Sequence, residues 1–193
     1  MEKGYTKFRC YFAKGEITAD ISNLNFWRNI FHDLNLIGEY ENGIGYGNIS
    51  IRDGKGFIIS GTKTGGIERL TKEDYTKVIR CNNKKNNLTC FRQIKASAES
   101  LTHNSVYESE PNANAVIHVH NLKFWEKWKG NLPTTSEQVE YGTPEIAEEI
   151  FRLFEETDVK EKKILIMGGH TEGIISFGKD LEEAGKTLLA YFL

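Results

Sequence analysis

Residues 115–121 read "AVIHVHN", a run of β-branched and small apolar residues carrying two histidines. Such a run reads as a buried strand, and side chains two apart on a strand share a face, so His118 and His120 project together. A buried imidazole needs hydrogen-bond partners or a metal. Two readings compete here: a pair of hydrogen-bonded histidines at a strand end, or two ligands that reach one ion.

The flanking sequence supplies elements to surround this strand. From Asp20 to Gly38, Ile21, Leu24, Trp27, Ile30, Phe31, Leu34 and Ile37 recur at helical spacing, with Asp20 as predicted N-cap and Gly38 as predicted stop. Runs at 49–52 and 56–60 meet at "DGKG" and read as a hairpin, followed by a glycine-rich loop. Thr71 with Asp74 forms a capping-box pattern for a short helix, which gives way to a strand near 76–80; a further strand is expected at 87–92. Ser97 is the predicted cap of a helix over "AESLTHNSVYES".

Beyond the histidine strand, "LKFWEKW" reads as a helical turn, and Thr143 with Pro144 opens a helix whose apolar residues form one stripe. "KILIM" and "GIISF" read as buried strands, and Asp180 with Glu183 caps the last helix. The mixture of hairpins and helices predicts an α/β/α or α+β layered fold with a mixed or largely antiparallel sheet. A length of 193 residues predicts one domain, 1–193, with a full core.

A net charge of −2 provides no general field for nucleic acid or an acidic membrane, so an anionic ligand has to be caught locally. Cys10, Cys81 and Cys90 contain no C-x-x-C pair, which predicts neither a disulfide framework nor a cysteine zinc site and fits a reducing cytoplasm. The opening "MEKGYTKFRCYFAKGEITAD" has no signal-peptide apolar run, and no segment reaches the roughly 20 apolar residues that span a bilayer.

Three more stretches carry candidate chemistry. In "ILIMGGHTEG" a strand ends in two glycines and His170, where open α/β sheets tend to build sites. In "KASAES", Glu99 lies in the first turn of a helix; the helix dipole alone explains an acid there, but beside a metal it becomes a candidate general base. "GYGNIS" and "ISGTKTGG" offer loop amides with Asn48, Thr62 and Lys63 for a phosphate, without the order of a nucleotide P-loop.

Taken in order, "GNISIRDGKGFIISGT", "LTKEDY", "SAES", "PNANAVIHVH", "YGTPEIAEEI" and "GGHTEGIISFGKDLEEA" resemble the class II aldolase/adducin family over about residues 22–193. The resemblance implies a three-layer α/β/α fold around a mixed, largely antiparallel sheet. It implies His118, His120 and His170 as ligands of Zn²⁺ or another divalent cation, and Glu99 as the acid/base carboxylate. Asn48, Thr62, Lys63 and Ser97 then fall at the substrate phosphate, and the assembly expected is a homo-oligomer, a tetramer in much of the family.

The activity implied is that of a lyase, an aldolase cleaving a ketose phosphate through a metal-stabilised enediolate. A sugar-phosphate dehydratase of the methylthioribulose-1-phosphate type and an epimerase are the enzymatic alternatives; a non-catalytic module like the adducin head is another, although such heads lack the metal histidines. The chain departs from the family pattern at several points. Ala98 replaces a phosphate-binding serine, Lys63 stands at a usual glycine, and Glu172 adds a carboxylate beside His170. A proton-donating tyrosine is replaced near Glu137, with Tyr141 the nearest alternative, and the sequence stops at Leu193 before an extension that carries a further tyrosine in some members.

Overall fold

The computed structural model describes residues 7–91 and 93–193. Its main sheet has eight strands: β1 (Arg9–Ala13), β4 (Asn48–Asp53), β5 (Gly56–Ser60), β6 (Tyr75–Asn82), β7 (Asn87–Phe91), β8 (Ala115–His120), β9 (Ile164–Ile166) and β10 (Gly173–Gly178). A separate two-stranded ribbon pairs β2 (Gly38–Glu39) with β3 (Gly45–Tyr46). The order across the main sheet is β1-β7-β6-β5-β4-β8-β10-β9. All neighbours run antiparallel except β1 and β7, so the sheet is mixed and largely antiparallel as expected.

Helices cover both faces. Against one face lie α2 (Ser100–Ser109) and α4 (Pro144–Glu156), which contribute Leu101, Val106, Ile146, Ile150, Leu153 and Phe154 to one apolar cluster. Against the other lie α1 (Ser22–Asp33) and α6 (Leu181–Phe192), with Leu24, Trp27, Phe31, Leu181, Ala184 and Leu188 in a second cluster. Two short helices, α3 (Leu122–Trp128) and α5 (Val159–Lys162), complete the set described. For α4, burial outweighs capping. Thr143 makes no side-chain cap bond, and a cap is worth about 1 kcal/mol. Burying Ile146, Ile150, Leu153 and Phe154 contributes about 6 kcal/mol or more before entropy is counted.

Several predicted boundaries move for local reasons. Asp20 lies one residue before the N-cap position of α1, where its Oδ1 accepts from the backbone N–H and the hydroxyl of Ser22. The helix stops at Asp33, well before Gly38, and Asn35 takes the left-handed conformation (φ 55°) that turns the chain. This is the other common way to end a helix, because the short asparagine side chain tolerates positive φ. Ser97 precedes α2 by three residues, and its carbonyl accepts from the N–H and hydroxyl of Ser100.

The Thr71/Asp74 capping box is present but supports only a three-residue 3-10 turn ahead of β6. The predicted strand at 87–92 is described as far as Phe91, Arg92 lying outside the described residues. Cys10, Cys81 and Cys90 are free thiols. Among the described residues no helix is long and apolar enough to cross a membrane.

Candidate metal centre and active-site cleft

The two faces of β8 differ in a way that the sheet explains. Ala115, Ile117 and Val119 all enter the apolar cluster under α1 and α6. On the other face Val116 enters the cluster under α2 and α4, and the next two positions are His118 and His120, buried past the end of that core. Their neighbours are Asn48 on β4, which registers with His118, and Gly173 on β10, which registers with His120.

His170 comes to the pair from the β9–β10 loop. The glycines before it are required by close packing: a Cβ at Gly168 would lie 2.1 Å from the Thr135 carbonyl oxygen, and one at Gly169 2.1 Å from that of Val139. This differs from the sharp-turn role expected of them. The three rings lie 4.7–5.4 Å apart between centroids, and one ligand atom from each can be chosen with all within 4.8 Å of one another.

The fit to a divalent ion rests on atoms that the protein leaves unpaired. Among the described residues, Nε2 of His118 and Oε1 of Glu99 are buried without a hydrogen-bond partner. Burial first, and then the neighbouring histidines, hold the His118 imidazole well below its usual pKa and therefore neutral, the form that ligates. Three histidines converging on one point are a donor set suited to zinc.

Glu99 occupies the N-cap position of α2 and is almost fully buried. Its Oε2 accepts from the Thr102 hydroxyl at 2.7 Å, and its Oε1 lies 3.8 Å from His170 Nε2. Burial pushes its carboxyl pKa up to about 7, opposed by the Thr102 hydrogen bond and by Lys7. A carboxyl with that value exchanges a proton readily near neutrality.

These groups open on a cleft of about 370 Å³ that Asn48, Thr62, Lys63, Ser97 and Tyr141 also line. An antiparallel bridge between Gly61 and Ala96 sets the 61–66 loop beside Ser97, and the Thr62 N–H donates to the Lys95 carbonyl. Lys63 has φ 62°, so it keeps the backbone shape that a glycine would favour there while adding an exposed cation. Asn48 places Nδ2 3.4 Å from His118 Nδ1. Tyr141 sets its ring 4.5 Å from that of His170, tilted by 45°, under the Lys7 ammonium. Glu137 points elsewhere: it is exposed and pairs with Lys129 at 2.7 Å.

Residues 39–124 match the family described as Class II Aldolase and Adducin N-terminal domain. The chain resembles the class II aldolase and adducin family. It is 28% identical over 153 residues to the L-fuculose phosphate aldolase of Methanocaldococcus jannaschii, a match covering 72% of this chain and 75% of that one. The class II aldolase-like fold is also seen in l-fuculose-1-phosphate aldolase from Thermus thermophilus, with TM-score 0.59, 19% identity, and 87% and 91% of the two chains covered. YgbL from Klebsiella pneumoniae gives TM-score 0.63 at 14% identity, covering 87% of this chain and 82% of its own.

Within this class II aldolase-like scaffold, three contributors to the cleft had no distinct signal in the sequence. Arg28 of α1 is buried, and its guanidinium donates to the carbonyls of Thr64, Gly65 and Glu68, which orders the loop bearing Thr62 and Lys63. Lys7 reaches Tyr141, and Tyr40 reaches His120. Helical periodicity gave Arg28 no special standing, and the other two contacts join residues more than 70 positions apart.

Proposed function

We propose that this chain is a metal-dependent lyase of the sugar-phosphate aldolase type, with His118, His120 and His170 as the ligands and Glu99 as the acid/base. The observation that carries this reading is the meeting of three buried histidines with a buried carboxylate whose Oε1 has no hydrogen-bond partner, 3.8 Å from His170 Nε2. A divalent ion bound there supplies Lewis-acid stabilisation of negative charge developing on substrate oxygens.

The residues of the chain do the rest. Thr102 holds one oxygen of Glu99, leaving Oε1 directed to the cleft side of His170 to take or return a proton. The 61–66 loop, Asn48 and Ser97 line the part of the cleft where a phosphate would be held, and Lys63 adds the charge that draws it in. Tyr141, buried beside His170, is the proposed proton donor on the other side of the reaction.

The test is a product screen with ketose 1-phosphates in the presence of Zn²⁺, together with metal analysis of the purified protein. Cleavage into a three-carbon ketone phosphate and an aldehyde is the expected result. Loss of water with the carbon chain intact would replace the aldolase reading with a dehydratase, and inversion at one carbon would replace it with an epimerase. A protein that takes up no divalent metal would end the metal-dependent reading altogether.

A further inference from the structure

His120 is held from behind. Its Nδ1 lies 2.9 Å from the Tyr40 hydroxyl, and that hydroxyl in turn donates a short hydrogen bond to Oε2 of Glu172. A phenol has one proton and an ionised carboxylate only accepts, so once Tyr40 donates to Glu172 its oxygen is left to accept from His120. We propose that Tyr40 and Glu172 form a positioning pair that keeps the proton of His120 on Nδ1 and presents Nε2 to the space shared with His118 and His170.

Two further observations bear on this arrangement. Glu172 has φ 74°, a left-handed backbone that side-chain-bearing residues seldom adopt, and such outliers persist where the surroundings hold them. Tyr46 stacks on the His120 ring at 5.5 Å and an interplanar angle of 29°, so the imidazole plane is fixed as well as its proton. Tyr40 itself meets His120 edge-on, at 65°, so its contribution is made through the hydroxyl. His118, by contrast, has the amide of Asn48 at 3.4 Å behind its Nδ1 and no carboxylate there among the described residues. The carboxylate-backed ligand is therefore the more firmly oriented of the two on β8, and removing such support typically costs 10–100-fold in metal affinity.

The inference rests on the proposed metal site, and its test separates the two. Zn²⁺ affinity is measured by competition with a chromophoric chelator for the wild type, Tyr40→Phe, Glu172→Gln, the double variant and His118→Ala. Histidine ¹⁵N spectra of the metal-free proteins report the His120 tautomer. The expected result is a loss of roughly 10–100-fold in affinity for each single variant, little further loss in the double, and a shift of His120 away from the Nδ1–H form. Unchanged affinity and tautomer in both single variants, with His118→Ala still impaired, would overturn the positioning pair and leave the metal site standing. Unchanged affinity in His118→Ala would remove the metal site, and the pair with it.

Discussion

One buried histidine on α2 and a cluster of three beside it are built differently. His103 hydrogen-bonds through Nδ1 to the Ser50 hydroxyl at 2.7 Å, and Ser50 in turn meets the Tyr107 hydroxyl at 2.8 Å. His118, His120 and His170 instead turn toward one another, with Glu99 alongside. Burial depresses the pKa of both His103 and His118, and each has an Nε2 without a hydrogen-bond partner among the described residues. Neither burial nor a shifted pKa therefore marks a ligand. Convergence of several donor atoms does, and His103 belongs to no such cluster among the described residues.

The comparison is most exposed to His118→Ala, which is expected to abolish stoichiometric divalent-metal binding and activity, while His103→Asn retains the metal; elemental analysis of both variants checks this. If His103→Asn lost the metal and His118→Ala kept it, the assignment would be reversed. The next effect is on acid stability. His103 is held at about pH 3 by burial, below its unfolded value near 6.5. Its neutral form thus favours the fold above pH 6.5, and that contribution drains away as pH falls toward 3, by about 5 kcal/mol in all. Urea unfolding from pH 7 to 4 should show this slope in the wild type and a shallower one in His103→Asn.

Glu99→Gln should lower kcat by about 10²–10⁴-fold, the usual range for a lost general acid/base, and leave metal content unchanged. The same variant has a pH signature in metal-free protein. The folded-state pKa of Glu99, about 7, lies above its unfolded value, so its contribution is fully present below about pH 4.5 and is lost as pH rises through 7, by about 3 kcal/mol. Against the wild type, Glu99→Gln should therefore gain stability progressively from pH 5 to 8 in chelator. The smallest effect is expected of Lys63→Gly, which removes an exposed charge without straining the backbone: KM should rise severalfold with kcat unchanged, and the difference should shrink in high salt.

The fold class, the β8 strand and helices α1, α4 and α6 are legible in sequence because each has a strong period or a marked cap, whereas α2 is weakly periodic and its expected cap, Ser97, lies outside it. The elements that escape it are short or lack such signals. β2 and β3 have two residues each, and β1, an edge strand with Tyr11 and Phe12 exposed, has no alternating pattern. In the site, His118, His120, His170 and Glu99 announce themselves by residue type, whereas Glu172 reads as one more carboxylate near the metal. The structure places it behind His120 through Tyr40, a relation that no local spacing encodes. Arg28 reads as an ordinary polar position on α1, and only tertiary packing shows that its charge is enclosed by loop carbonyls.

The parallel edge strand has a consequence for how the molecule is assembled. On the ribosome β1 is made before its partner β7, which exists only once residues 87–91 have been added, and parallel pairing has no tight turn to bring the two together. Closing so long a segment is slow compared with forming the β4–β5 and β6–β7 hairpins. β1 is thus among the last strands of the sheet to take its place, and Lys7, which leads into it, then closes the wall beside Tyr141.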